Sequence, residues 1–414
     1  MTKSLSPYLK YASFVLLIAF GSQQGFAAPL LKGAVQVSAG EDHSCSTLSD
    51  GTVACWGDNT HGQLGNGVVA SPRLTPVSVL LAGSSYKLSG MTWVSAGDGF
   101  TCGLHSSGIV YCWGDSEFGM LGSGSLVSSS SPKQVWITEP VRQIAVGQWY
   151  GCALLNNAQR SVRCWGSNGY GQLGDGTTTD RTAPVDVVIT EADGTKKLLT
   201  GVQEISAGAF HACAILSDGS AACWGNNRLG QLGNGSRTVS QTSPVAVVIS
   251  ESDGTRVKLT NISQIALGFD HSCVLLSASK SAACWGDNEY GSFGIPSGVP
   301  IYSNSPITVP TLQIQQLSAG SGYTCAALTD GRTTDCWGAG HDGQIGNGAA
   351  GDIYYAPQTV WLPPIKMISS GTFHSCAVTY DTGIKCWGDG TYGELGNGDD
   401  TVQLSPVDVL AVSP

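Results

Sequence analysis

Residues 39–67 read AGEDHSCSTLSDGTVACWGDNTHGQLGNG. Two extended stretches, 43–48 and 52–57, flank an Asp50-Gly51 turn, the pattern of a tight antiparallel hairpin. The Cys-Trp-Gly that begins at Cys55 returns at Cys112, Cys164, Cys223, Cys284, Cys336 and Cys386. Before each copy comes an apolar-small-Gly step, from Ser38-Ala39-Gly40 to Ser369-Ser370-Gly371. After each comes a Gly-x-Leu-Gly-x-Gly segment or its counterpart, beginning at Gly62, Gly119, Gly171, Gly230, Gly343 and Gly393. The fifth copy departs from it as Gly291-Ser292-Phe293-Gly294-Ile295-Pro296. Seven copies fill the chain from about Val35 to Pro414.

A Pro-Val segment such as Ser405-Pro406-Val407 adds a further strand to each unit, its proline suited to a sheet edge. Copies three and four carry an extra Asp193-Gly194 or Asp253-Gly254 turn, read as a protruding hairpin. No stretch keeps a helical period, so few helices are expected. About four short strands per unit, seven times over, predict an all-β fold, a seven-bladed β-propeller in which each small sheet buries its faces against its neighbours. The expected repeats are 35–91, 92–141, 142–202, 203–262, 263–314, 315–365 and 366–414, within one domain spanning 28–414. Composition agrees: 56 of 414 residues are Gly, about twice the usual share, and 42% hydrophobic content excludes disorder for most of the chain.

Lys3 and Lys10, an apolar run over 11–20 and a Gly25-Phe26-Ala27 end have the form of a secretory signal, expected over 1–27 with cleavage after Ala27. The run is too short to span a bilayer, which takes ~20 residues. A secreted or periplasmic chain is expected. It carries 20 basic against 30 acidic residues, and losing Lys3 and Lys10 makes it more acidic, which disfavours a nucleic-acid partner.

The pattern over 39–67, visible almost whole again over 207–235, resembles the repeat of the regulator of chromosome condensation (RCC1) family, in an exported bacterial-type form. The resemblance implies a seven-bladed propeller. For function it implies several activities: nucleotide exchange on a small GTPase, light sensing through tryptophans, and inhibition of β-lactamases by a secreted bacterial relative. Export and acidity set this chain apart from a chromatin-bound exchange factor. Trp93, Trp136, Trp149 and Trp361, the tryptophans outside Cys-Trp-Gly, are scattered along the sequence.

Fourteen cysteines fall into seven pairs: Cys45–Cys55, Cys102–Cys112, Cys152–Cys164, Cys213–Cys223, Cys273–Cys284, Cys325–Cys336 and Cys376–Cys386. A three-residue turn at 49–51 sets residue 45 opposite 55 in a non-hydrogen-bonded site, where facing Cβ atoms come closest and a disulfide fits. Export supplies the oxidising compartment. Zinc is the rival reading, since His43, His211, His271 and His374 each stand two residues before a cysteine. Phe100, Tyr150 and Tyr323 hold that place in the other copies, and an aromatic ring replaces a packed histidine, not a ligand. The Asp58-Asn59, Asp287-Asn288 and Asp389 loops lack the dense ligand spacing of a calcium site. No nucleophile, phosphate-loop or zinc-protease motif occurs. No cofactor and no catalytic residue are assigned.

What varies between copies is the loop before the first cysteine, where Asp42 or Gly99 in some copies gives way to Trp149, Phe210 or Phe373. Another variable position, just before the glycine-rich turn, holds His61, Phe118, Tyr170, Leu229, Tyr290, Asp342 and Tyr392. Aromatics on rigid turns anchor protein interfaces, although recurring Tyr and Phe also pack between blades. Trp149, Phe210 and Phe373 are the candidate partner-binding residues. The expected function is a monomeric, non-enzymatic protein-binding scaffold. The alternatives are an inhibitor of a secreted enzyme such as a β-lactamase, and an exchange or enzymatic activity at the central channel.

Overall fold

A computed structural model describes residues 28–250, 254–296, 300–309 and 313–413. The expected signal, 1–27, lies outside them. Seven four-stranded antiparallel sheets make a closed ring, and no helix occurs among the described residues. Blade 1 comprises β1 (Ala34–Ala39), β2 (His43–Leu48), β3 (Val53–Gly57) and β4 (Arg73–Ser78), running from the channel outward. Blades 2 to 7 repeat this order over 91–134, 141–186, 202–246, 262–308, 314–360 and 365–408. The outermost strand of each is an edge, and in blade 1 its Pro76 lies where the ladder shifts register between Arg73 and Val77. There a missing N–H costs nothing. The extra stretches of blades 3 and 4 form two-stranded hairpins, Val188–Thr190 with Lys196–Leu198 and Val248–Ser250 with Arg256–Lys258.

All seven cysteine pairs are disulfide-bonded across the second and third strands, with Cα atoms 4.0 to 4.1 Å apart. Seven buried bridges are consistent with an oxidising compartment.

The core sits between blades. Seven apolar clusters each join two neighbouring sheets; the one between blades 3 and 4 gathers Tyr150, Cys152 and Leu154 with Ile205 and Trp224. Every Cys-Trp-Gly tryptophan is fully buried, and its indole N–H donates to a carbonyl in the glycine-rich turn of the preceding blade. Trp113 donates to Gln63 O at 2.9 Å, Trp165 to Met120 O at 2.8 Å and Trp224 to Gln172 O at 2.9 Å. Glutamine, methionine, serine or glutamate at that position makes no difference, because the acceptor is backbone. The last glycine of Gly-Gln-Leu-Gly packs on the same indole: Gly65 has φ +66°, and a Cβ there would come 2.7 Å from Trp113 Nε1.

A second seam pairs histidines with hydroxyls one blade on. Nε2 of His43 lies 2.8 Å from Thr101 Oγ1, His211 2.9 Å from Ser272, His271 2.9 Å from Thr324 and His374 2.7 Å from Ser44. Each hydroxyl also donates to the carbonyl that its own blade's tryptophan uses: Thr101 to Gln63 O, Ser272 to Gln231 O, Thr324 to Ser292 O, Ser44 to Glu394 O. The hydroxyl proton is therefore spent, and Nε2 must carry the hydrogen. Where blade 2 has Phe100 and blade 3 has Tyr150, the next blade has Gly151 or Ala212 instead of a hydroxyl. Tyr150 donates to His211 O at 2.6 Å.

The ring closes with the same parts. Trp56 donates to Glu394 O at 2.8 Å, and Ala39 N donates to Ser369 Oγ at 3.0 Å. Leu31 N donates to Val409 O, as Leu88 N does to Val79 O in blade 1. A bridge joins Leu30 and Leu410, and Ala411 N donates to Pro29 O at 2.7 Å. Residues 29–31 thus complete blade 7.

Candidate binding face

The turn from the innermost to the second strand begins, in every blade, with the glycine of the apolar-small-Gly step. These seven glycines encircle the channel at van der Waals range. A Cβ on Gly40 would come 2.7 Å from Gly97 O, so no other residue fits. Backbone bonds run around the ring just above, including Glu41 N to Gly97 O at 3.3 Å, Phe269 N to Gly320 O at 3.2 Å and Thr372 N to Gly40 O at 3.0 Å. The result is a funnel floored by glycine and walled by one residue per blade: Glu41, Asp98, Gln148, Ala209, Phe269, Ser321 and Thr372. Since backbone geometry fixes the funnel, its chemistry is set by those seven side chains and the residues that follow them.

Around blades 2 to 5 that chemistry is aromatic. Phe118 packs on Trp149 with ring centroids 5.7 Å apart, Trp149 on Phe210 at 5.6 Å, and Phe210 on both Tyr170 at 5.2 Å and Phe269 at 5.6 Å. The order follows from the repeat: the residue before one blade's glycine-rich turn lies beside the pre-histidine loop of the next. Phe118 and Trp149 also rest on the core between blades 2 and 3, so the ladder is held from below and half exposed above. Trp149 is turned by a bond from Nε1 to Asp98 Oδ2 at 2.7 Å.

Around blades 7, 1 and 2 the face is acidic. Burial, then the neighbouring Asp98 and Asp42 carboxylates, push Glu41 up to about 7. Burial, then Asp58, Asp98 and Asp389, push Asp42 up to about 6. Gln148 Nε2 lies 3.4 Å from both Glu41 Oε2 and Asp98 Oδ2. Glu394 is fully buried in the glycine-rich turn of blade 7, where blades 1 and 4 have Gln63 and Gln231. Those amides donate to Asp58 at 2.6 Å and Asp270 at 2.9 Å. Glu394 Oε2 accepts from Tyr392 N at 2.8 Å, but Oε1 has no partner, and burial with Asp389 and Asp42 nearby raises its carboxyl to about 8.

Of the three candidate residues, the structure brings Trp149 and Phe210 together. Phe373 stands apart in blade 7 and joins no ring contact. Sequence reasoning missed Phe269, displaced one position from Phe210 in its loop, and the funnel residues Glu41, Asp98 and Gln148. Their common signal is the residue following the step glycine, at 41, 98, 148 and one position later than Phe269's predecessor Gly268. The four histidines are buried and held near 3 to 4 by desolvation, hence neutral, with Nε2–H committed to a hydroxyl. No group of three or more His, Cys, Asp or Glu arranged to hold a metal occurs among the described residues. No described helix is long and apolar enough to cross a membrane.

A closed ring of one repeated four-stranded unit, stapled in every blade, defines a seven-bladed repeat propeller. The chain belongs to the Regulator of chromosome condensation (RCC1) repeat family. One form of that repeat matches residues 50–104, 107–154, 161–215 and 218–275, and another matches 34–63, 94–119, 141–172, 202–231, 262–292 and 365–394. The chain is 31% identical to the ultraviolet-B receptor UVR8 of Arabidopsis thaliana over 357 residues, covering 83% of this chain and 74% of the receptor. It is 28% identical to the E3 ubiquitin-protein ligase HERC2 of Homo sapiens over 71% of this chain, but spans 6% of that ligase. Among solved structures, Prp20p of Saccharomyces cerevisiae, studied for its binding to Gsp1p and histones, matches with TM-score 0.66 and 23% identity over 81% of this chain and 80% of that one. Human WBSCR16 matches with TM-score 0.70 and 20% identity over 86% and 94%. These two likenesses show the fold.

Proposed function

We propose that the chain is an exported, non-enzymatic protein-binding scaffold that docks its partner on the funnel face. The observation that carries this reading is the continuous ladder from Phe118 through Trp149 and Phe210 to Phe269, seated on core below and half exposed above. Rings held this way need little ordering on binding, so their burial counts more fully toward affinity. An acidic sector beside the apolar one gives a partner orientation. The protein-binding relative Prp20p supports the reading by its fold.

The His–hydroxyl pairs look like nucleophile and base, and Ser44 with His374 has the right separation. Both residues are fully buried, and the Ser44 proton goes to Glu394 O. Such a hydroxyl has neither access nor an available base, which favours binding over catalysis.

The test is a pull-down from envelope and secreted fractions using oxidised 28–414 beside folded Trp149→Ala/Phe210→Ala and Phe373→Ala variants. A partner retained by the parent and lost by the double variant supports the reading. Retention of none, or equal retention by both, overturns it. If the partner is a hydrolase whose turnover falls at stoichiometric amounts, the scaffold acts as an inhibitor.

A further inference from the structure

The funnel mouth has an imbalance of hydrogen-bonding groups. Glu41, Asp98 and Gln148 lie side by side in its wall, and the donor they share is Gln148 Nε2, at 3.4 Å from each carboxylate. Gln148 Oε1 is buried and has no partner. Glu394, fully buried in the same acidic sector, likewise keeps an oxygen without a partner. Buried acceptors without donors are costly; of the two residues, Gln148 lines the funnel, whereas Glu394 does not and holds its proton up to about pH 8.

None of the ion pairs among the described residues involves Glu41, Asp98 or Glu394. Those pairs are Lys32–Asp381, Arg163 with Glu139 and Asp186, Arg181–Asp175, Lys197–Glu191, Lys385–Asp408 and, beside Asp389 at the border of the acidic sector, His341–Asp342. Beside the acceptors stands an aromatic wall, with Phe269 in the funnel and Trp149 fixed to Asp98. At the ladder's outer end the chain already sets a guanidinium against a ring, Arg228 lying 5.5 Å from the Tyr170 centroid.

We propose that the funnel mouth receives an arginine side chain from a basic segment of the partner protein, its N–H groups on Glu41, Asp98 and Gln148 and its plane toward Trp149 and Phe269. The proposal rests on the funnel face being the docking surface and names the partner's chemistry. Arginine suits it better than lysine, because a planar fork of five donors matches several acceptors and stacks on rings. The glycine floor lets the side chain enter to the depth of the seven wall residues and no further.

The probe is a short fluorescent peptide containing two arginines in a glycine-serine background, with matched lysine and citrulline versions, titrated by anisotropy. Citrulline keeps the shape and removes the charge. The arginine peptide should bind the parent protein at least tenfold more tightly than citrulline and several-fold more tightly than lysine. Glu41→Gln/Asp98→Asn should lose at least tenfold, while Asp193→Asn, on the outer hairpin of blade 3, should change nothing. Equal binding of citrulline and arginine in the parent overturns the proposal, and that comparison needs no variant to fold. Equal losses in the funnel and hairpin variants also overturn it, as general attraction to an acidic disc. A partner whose capture needs Trp149 and Phe210 but not Glu41 and Asp98 leaves the docking face standing and removes the arginine. A partner indifferent to both pairs removes the docking face as well.

Discussion

Trp165 and Trp149 belong to the same blade, and both donate an indole N–H, yet their surroundings differ in kind. Trp165 is fully buried, donates to the backbone of Met120, and has a counterpart in every other blade. Trp149 is half buried, donates to the Asp98 side chain, and has none. A bond to backbone can be made by any sequence that keeps the chain path, so it serves all seven interfaces alike. A bond to a side chain found in one blade depends on that residue, and only local selection of surface chemistry accounts for it. On the proposed reading, structure and recognition are thereby separated within one residue type.

Replacing each with alanine should show the separation at its largest. Trp165→Ala removes an indole from a packed seam and leaves the buried Met120 carbonyl without that donor, and should cost about 3 to 5 kcal/mol in urea unfolding of the oxidised protein. Trp149→Ala should cost about 1 kcal/mol, since half the ring already faces water, while abolishing partner retention. A stability loss at Trp149 as large as at Trp165 would place the ladder with the core.

The disulfides come next in size. Replacing Cys213 and Cys223 together by alanine should cost about 2 kcal/mol, less than the chain-entropy figure for such a loop, because the hairpin ladder already holds these residues opposite one another. The same loss is expected for Cys102 and Cys112 in blade 2, and urea midpoints of the two variants check it. Unequal losses would mean that the seven seams, alike in geometry, differ in strength.

How far these features were legible in the sequence follows the same division. The blades, their order and the cysteine pairs could be read because Cys-Trp-Gly and the step glycine recur, and recurrence reports backbone requirements. The histidine seam was legible in half. Its aromatic substitutes showed the ring to be packed, but its partner is a hydroxyl one repeat later, as His43 needs Thr101 and Phe100 needs nothing from Gly151. Reading it required comparing each copy with its successor rather than with the consensus. The site was less legible still. Trp149 and Phe210 were found as departures from a pattern, yet their contact depends on the ring order of loops distant in sequence. Phe373 departs from the pattern equally and has no such neighbour.

Changes of pH should act on the two regions with opposite sign. The four seam histidines are neutral when folded, so between pH 6.5 and about 4 the unfolded chain holds protons that the native state lacks, and stability falls as pH drops through that window. Glu41, Asp42 and Glu394 do the reverse. Their folded values of about 7, 6 and 8 lie above the unfolded ones of 4.5, 3.8 and 4.5, so their contribution is whole below about pH 4 and is lost as pH rises from there to about 8. The two effects oppose each other between pH 4 and 6.5, and above 6.5 the carboxylates act alone, so thermal melts from pH 4 to 9 should show little change on the acid side and a decline between about pH 6.5 and 8. Glu394→Gln should flatten the alkaline side by roughly 1 kcal/mol, since an amide there can donate as Gln63 does to Asp58. An unchanged alkaline side would move its cause away from blade 7.

The smallest expected effect lies at the opposite end of the channel. In the innermost strands, Gln36, Gln143, Gln264 and Gln316 each clamp the next blade twice: Gln143, for instance, donates to Ile205 O at 2.9 Å and accepts from Ile205 N at 3.0 Å. Blade 4 has Glu204 at this position. Its Oε1 accepts from Ile265 N at 3.1 Å, but an ionised carboxylate cannot return a donor. Burial accordingly raises its pKa, with the Ile265 bond opposing. Glu204→Gln should therefore stabilise the ring by about 0.5 to 1 kcal/mol at pH 8. The gain should vanish at a pH low enough for Glu204 to carry a proton and act as the donor itself. A gain that persists at pH 4 would mean that charge on Glu204 is not what separates this seam from its glutamine counterparts.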